Sequence, residues 1–185
     1  MTEILDIVNE QDEIVGYAER EKVHQEGLIC RMILILFYTP DKKLILQRRS
    51  MSKLNSPGKL TTTVSGHVGQ GMSYDQAAIK ESLEESGVTI DVTRLSKLPI
   101  RYVNYIEDNH GKEYLSNVMR ASYAYAYDGD PLDLKIEGGE GVGFEVVSID
   151  EFKSMQINHP EDLAPYLLDQ ANSELVAYIE QTKYL

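Results

Sequence analysis

The sequence predicts an α/β protein: a mixed β-sheet sandwiched between helices, opened by an N-terminal β-hairpin and closed by a C-terminal helix. Three observations carry that prediction. Short apolar or alternating runs recur from residue 3 to residue 148, as the strands of a sheet would. A glycine-rich loop, residues 66–71, feeds one short helix in the middle of that series. A longer helical stretch, residues 161–182, follows the last run. With 185 residues, no internal repeat and no break in composition, the chain reads as one domain spanning residues 1–185.

Each element has its own signal. Residues 3–8 alternate like a strand, residues 9–13 form a polar turn, and residues 14–18 return as the second arm of a hairpin. Residues 19–25 read as a short helix or turn ending at Gly27, with His24 expected at the surface. Residues 31–38 are a dense apolar run of strand character; a turn at Thr39–Lys42 leads into a partner strand, residues 44–48. A polar connection, residues 50–59, carries Pro57-Gly58 before a threonine-rich strand, residues 60–65. Ser73 and Gln76 form a capping-box pair, so the helix begins near Tyr74. Gly87 supplies its left-handed stop, and β-branched Val88 resumes extended chain.

Beyond it, residues 89–92 and 98–106 look extended, with a loop at 107–111. In residues 114–127 the alternation puts Tyr123, Tyr125 and Tyr127 on one face, the pattern of a sheet surface packed beneath a helix. Residues 128–143 are a glycine- and acid-rich loop bearing Glu137 and Glu140. Residues 144–148 form a last strand and Ser148–Glu151 a helix start. The terminal helix opens after Pro160 and meets a candidate interruption at Pro165.

Composition narrows the function. Lys plus Arg number 18 against 30 Asp plus Glu, a formal charge of −12, which argues against a nucleic acid polymer or an anionic membrane as partner. No apolar run is long enough for a membrane span. The opening residues lack a basic region and an apolar core, so no secretory signal is expected. One cysteine, Cys30, excludes an internal disulfide and fits a reducing compartment; the expected location is cytoplasmic.

The short helix holds an electrostatic oddity. Glu81, Glu84 and Glu85 stand at i, i+3 and i+4 on one side of its last turns, where the helix dipole favours cations. Only Lys80 is close enough in sequence to offset their repulsion. Oxygen ligands gathered against the local field suit a divalent cation, Mg²⁺ or Mn²⁺. Taken alone, such carboxylates more often make a solvated acidic face. Upstream lies a basic group, Arg48, Arg49, Lys53 and Lys59, suited to anionic oxygens but equally readable as ordinary surface charge.

The surrounding pattern resembles the Nudix box: Gly, five residues, Glu, seven residues, then Arg-Glu-apolar-any-Glu-Glu-any-Gly-apolar. Gly66, Glu81, Glu84, Glu85, Gly87 and Val88 match it with the spacing intact. Met72 stands for the first Glu, Lys80 for the Arg and Ser82 for an apolar residue. The resemblance implies a Nudix-type α/β/α sandwich and a metal-dependent pyrophosphohydrolase. It implies that Glu81 and Glu85 ligate Mg²⁺ (or Mn²⁺), with Glu84 assisting and the Gly66 carbonyl a further ligand. The water's proton would pass to Glu140, Glu137, Glu81 or Glu84. Arg48 and Arg49, with Lys53 and Lys59 nearby, would grip a phosphate-containing small molecule, and His67 would orient a phosphate or merely pack. A homodimer is a further implication.

Residues 6–10, 20–24, 27–31 and 46–50, with Lys53, 57–59 and 66–68, resemble one branch of that family, the type I isopentenyl diphosphate isomerases and their hydrolase-like relatives. The isomerases need a cysteine two residues before the histidine of the Gly-His segment, and a Glu-any-Glu run on a later strand. Here those positions hold Ser65 and the carboxylate-free stretch 116–122, and Cys30 replaces one of the metal-binding histidines, leaving His24 and His67. Hydrolysis of a diphosphate linkage is therefore the expected activity, isomerisation is disfavoured, and a catalytically silent Nudix domain is the alternative.

Overall fold

The computed structural model describes residues 3–53, 55–109, 112–136, 139 and 141–184. Its centre is the strand β3, Ile29–Tyr38, rich in β-branched and apolar residues. Because side chains alternate along a strand, Ile33, Ile35 and Phe37 enter one core while Leu34, Leu36 and Tyr38 enter a second on the opposite face. Over the first core lies helix α2, Tyr74–Ser86, through Tyr74, Ala77 and Ala78. Over the second lie α3, Ile149–Asn158, and α4, Gln170–Gln181, through Phe152, Leu175, Val176 and Ile179. One strand buried on both faces thus makes the predicted sandwich.

Around β3 the described strands form one mixed sheet. β1, Ile4–Val8, and β2, Ile14–Glu19, are the expected hairpin, and β1 touches β3 at Ile7 and Cys30. Helix α1, Arg20–Glu26, follows and ends at left-handed Gly27. β4, Leu44–Arg49, pairs with β3 only at its start, Phe37 with Ile45 and Tyr38 with Leu44. The two strands then part. Into the gap run β5, Leu60–Thr61, on the β4 side and β6, Val64–His67, on the β3 side. Buried Thr63 joins the halves: its hydroxyl accepts from the Phe37 amide at 2.8 Å and donates to the Ile45 carbonyl. This insertion carries the glycine-rich loop to the middle of the sheet.

The remaining strands are β7, Leu95–Lys97, β8, Arg101–Asn109, β9, Lys112–Ala126, and β10, Gly141–Val147. β9 runs parallel to β3 from Ile29–Asn117 to Tyr38–Ala126, with β7 and β8 antiparallel on its other side. β10 closes the far edge against β4. Tyr123 and Tyr125 are buried in the core under α2, the sheet surface beneath a helix that the alternation predicts.

Several boundaries differ from the sequence reading. Residues 89–92 are not a strand: the Asp91 side chain accepts from the Thr93 amide and starts a 3-10 turn, Val92–Arg94, so pairing resumes only at β7. β8 runs on to Asn109, into the span read as a loop, and β9 begins at Lys112, just beyond that span. The terminal helix does not begin at residue 161. Two prolines set short 3-10 turns, Pro160–Asp162 and Pro165–Leu167, and Asp169 caps α4 by accepting from the Asn172 amide at 2.8 Å. The same carboxylate takes both terminal nitrogens of Arg120 at 2.8 Å. Arg120 is 1% exposed, so this bidentate pair ties β9 to α4 inside the second core.

His24 is not at the surface. It is 2% exposed, its ring stacked on Tyr114 with centroids 4.0 Å apart. The short helix that carries it packs its Val23 and His24 face down onto the sheet. None of the described helices is long and apolar enough to cross a membrane.

Candidate metal centre

Helix α2 begins and ends where its local chemistry requires. The Ser73 hydroxyl accepts from the Gln76 amide at 3.2 Å, and the Gln76 side chain accepts from the Ser73 amide at 2.9 Å. Gly87 adopts φ 71° and donates its amide to the Leu83 carbonyl at 3.1 Å. Those limits place Glu81, Glu84 and Glu85 in the last two turns, beside β6.

Two of the three carboxylates rest on that strand. A Cβ added to Gly66 would lie 2.7 Å from Glu81 Cδ, so only glycine lets Glu81 fold across β6. Glu85 Oε2 accepts from the Ser65 amide at 3.0 Å. Glu84, one turn along, stays exposed. Lys80 Nζ lies 2.7 Å from Glu81 Oε1 and 2.7 Å from Glu84 Oε2. Burial raises the Glu81 pKa against the opposing pull of Lys80, and the two carboxylates hold the Lys80 ammonium above its ordinary range. Carboxylates are hard oxygen donors, which suit Mg²⁺ or Mn²⁺ better than a softer ion. Among the described residues, the trio whose ligand atoms already lie within 4.8 Å of one another is the exposed His159, Glu161 and Asp162, not Glu81, Glu84 and Glu85.

The three departures from the box are each accommodated. Met72 packs against the core under α2, and its sulfur would sit 3.3 Å from a Cβ at Gly69. Ser82 is buried, donating its hydroxyl to the Val88 carbonyl at 3.0 Å and accepting the Ser86 hydroxyl on its own carbonyl at 2.7 Å. Lys80 turns to the carboxylates of its own helix.

The basic residues gather on the β4–β5 connection. Arg49 donates Nε to the Asn55 carbonyl at 2.8 Å, and its amide bonds the Lys59 carbonyl at 3.0 Å. Arg48 donates to Glu145 at 2.7 Å and to the Gly58 carbonyl at 3.0 Å. By the strand alternation Arg48 shares the face of Leu44 and Leu46, towards α3 and α4, whereas Arg49 shares that of Ile45, towards α2. Lys53 turns with the same connection, its amide bonded to the Ser50 carbonyl at 3.2 Å, and Lys59 is half-buried. Glu137 and Glu140 lie outside the described residues.

His67 contacts His24, their Nε2 atoms 3.0 Å apart. Burial lowers both pKa values, so both rings are neutral near pH 7. His24 Nδ1 faces the Leu115 carbonyl at 2.8 Å and must therefore carry the proton there. Its Nε2 is then a lone pair, and His67 Nε2–H is the donor between the rings. That donor is committed within the protein; His67 turns only its Nδ1 lone pair elsewhere. Burial also pushes the Cys30 thiol up to about 12, which removes it as a nucleophile at neutral pH.

Sequence reasoning missed the residues that hold the glycine-rich loop. Asp6 on β1 accepts from the Gly71 amide at 2.9 Å, and the Ile4 carbonyl accepts from the Gln70 amide at 3.1 Å. Arg31 pairs with Asp12 at 2.7 Å, and the Tyr74 hydroxyl donates to the same Asp12 oxygen at 3.0 Å, fixing the start of α2. An acidic residue alternating inward on β1 was the available signal for Asp6.

Comparisons with known proteins identify the family and the fold. The family model described as the NUDIX domain matches residues 30–170. The chain is 40% identical over 87 residues to the uncharacterized Nudix hydrolase SCO1686 of Streptomyces coelicolor, covering 47% of this chain and 48% of that one. It is 33% identical over 96 residues to an isopentenyl-diphosphate Delta-isomerase of Serratia proteamaculans, covering 52% and 54%. In these matches the chain spans about half the length of the curated relatives. Among solved structures, DR0079 from Deinococcus radiodurans superposes with a TM-score of 0.70 at 24% identity, covering 97% of this chain and 100% of that one, a likeness of fold. The matched model takes in the strand-inserted glycine loop, α2 and its three carboxylates, and the chain belongs to the NUDIX domain family.

Proposed function

We propose that the chain is a divalent-cation-dependent hydrolase that cleaves a diphosphate linkage in a small molecule, such as a nucleoside diphosphate joined to a second group. The observation that carries this reading is the seating of Glu81 across Gly66 and of Glu85 on the Ser65 amide, which pins two box carboxylates to one strand. Glu81, Glu84, Glu85 and the Gly66 carbonyl would hold Mg²⁺ or Mn²⁺. When bound, the ion supplies charge neutralisation at the diphosphate and acidifies an attacking water. Glu81 or Glu84 would take that water's proton as the new phosphorus–oxygen bond forms and the bridging one breaks; Glu140 keeps that role as a proposal from sequence alone. Arg49, with Lys53 and Lys59, would bind non-bridging oxygens, and Arg48 would steady the connection through Glu145. His67, with its Nε2–H committed to His24, would pack rather than donate to a phosphate.

Allylic isomerisation is disfavoured because a serine hydroxyl at Ser65 is a poor proton donor to carbon. With Mg²⁺ or Mn²⁺ supplied, a panel of nucleotide sugars, dinucleotides, nucleoside triphosphates and coenzyme A should contain a hydrolysed compound. Glu85→Gln should cut that rate at least a hundredfold, and isopentenyl diphosphate should not isomerise. Turnover nowhere on the panel would favour the second reading, a silent ligand-binding Nudix domain. That reading rests on Met72 packing into the core and Lys80 occupying the carboxylates. Restored activity in a Met72→Glu, Lys80→Arg double variant would mark a degenerate site.

A further inference from the structure

The Lys80 ammonium lies 2.7 Å from Glu81 Oε1 and 2.7 Å from Glu84 Oε2, two of the oxygens assigned above to a divalent ion. The second contact is an ordinary i, i+4 helix pair; the first is not. Residues i and i+1 project about 100° apart around a helix, so the ammonium must turn across the surface of α2 to reach Glu81. Two features draw it there. The Glu81 carboxylate is held by its own packing over Gly66 and is only 17% exposed, so its charge is poorly answered by water. Position 72, where the box carries a glutamate, is a partly buried methionine packed against the core under α2 and adds no carboxylate.

We infer that Lys80 is a displaceable internal counter-ion: its single charge is shared between Glu81 and Glu84 when no metal is bound, and a divalent ion must evict it to take the same oxygens. The inference rests on the metal-site reading given above. The lysine side chain is 47% exposed, so it can swing into water without disturbing the core. Two consequences follow from one charge. The metal-free protein tolerates an acidic trio at the C-terminal end of a helix. The site also binds its ion more weakly than the bare carboxylates would, so occupancy responds to the free concentration of the ion.

The test is Mn²⁺ binding, followed by electron paramagnetic resonance and calorimetry at constant ionic strength, in the wild type, Lys80→Met, Lys80→Arg, Lys22→Met and Glu85→Gln. Lys80→Met should bind Mn²⁺ on the order of tenfold more tightly, the scale of one unit charge removed a few ångströms from a divalent ion in partial solvent. Lys80→Arg should stay within about threefold of wild type, because the charge remains. Lys22→Met changes the net charge equally but sits on α1, paired with Glu26, and should leave the affinity unaltered. Without metal, Lys80→Met should melt below wild type, and Mn²⁺ should raise its melting temperature by more. Equal or weaker binding by Lys80→Met overturns the inference, and if Glu85→Gln still weakens binding the metal site itself stands. Absence of Mn²⁺ binding in every variant overturns both.

Discussion

The Glu81 carboxyl sits where folding is opposed by its own ionisation. Burial lifts its pKa above the ordinary value, so the folded state holds a proton that the unfolded chain releases, and stability falls as pH rises through that interval. Glu81→Gln should therefore melt above wild type at pH 7 in a chelator, while losing Mn²⁺ binding. A fall in the calorimetric melting temperature would show that the Lys80 bond outweighs the burial. The histidine pair has the opposite sign. His24 and His67 are held below 6.5, so the unfolded chain binds protons that the folded one refuses, and stability is lost as pH falls below that value. The melting temperature should drop between pH 7 and pH 5, and the drop should be shallower in His67→Gln.

At the scale of elements, the site is a helix laid against a strand with one missing side chain at the crossing. Gly66→Ala would drive a methyl to 2.7 Å from Glu81 Cδ. The carboxyl end of Glu81 is flexible and can move aside, so stability should fall by only about 1 kcal/mol. Mn²⁺ affinity should fall more than tenfold, because the displaced oxygen is the one the strand had positioned. Comparable losses in both measurements would mean Gly66 serves packing alone. The helix itself depends on its cap: Ser73→Ala removes the acceptor for the Gln76 amide and should lower stability by about 1 kcal/mol in denaturant titration.

At the scale of the molecule, three layers must be held in register, and the Arg120–Asp169 pair links the sheet to the C-terminal helices. Asp169→Ala leaves a guanidinium 1% exposed with its main partner gone and uncaps α4. A loss of about 3–5 kcal/mol is expected, a fall in melting temperature of roughly 6–20 °C at this size. Because the pair lies on the face of the sheet away from α2, the loss should come with unchanged Mn²⁺ affinity below the transition. An affinity change would show that the two cores are coupled across β3.

What was legible in the sequence was whatever closes within a turn or two of chain. Ser73, Gln76 and Gly87 bound α2 because capping bonds span three or four residues, and Glu81, Glu84 and Glu85 share a side because the helical repeat is local. The N-terminal hairpin and the apolar alternation of β3 were visible for the same reason. The terminal helix is shorter than its apolar period suggests, because Pro160 and Pro165 set 3-10 turns and Asp169 caps the helix only at Gln170. Tertiary structure alone decided the rest: the insertion of β5 and β6 between β3 and β4, the meeting of His24 with His67, and the closure of Arg120 on Asp169. It also decided that Lys80 turns to Glu81, since that depends on what Gly66 makes room for and what Met72 leaves out. Such contacts join residues tens of positions apart, and each side chain's own chemistry permits many partners until the sheet brings one of them within reach.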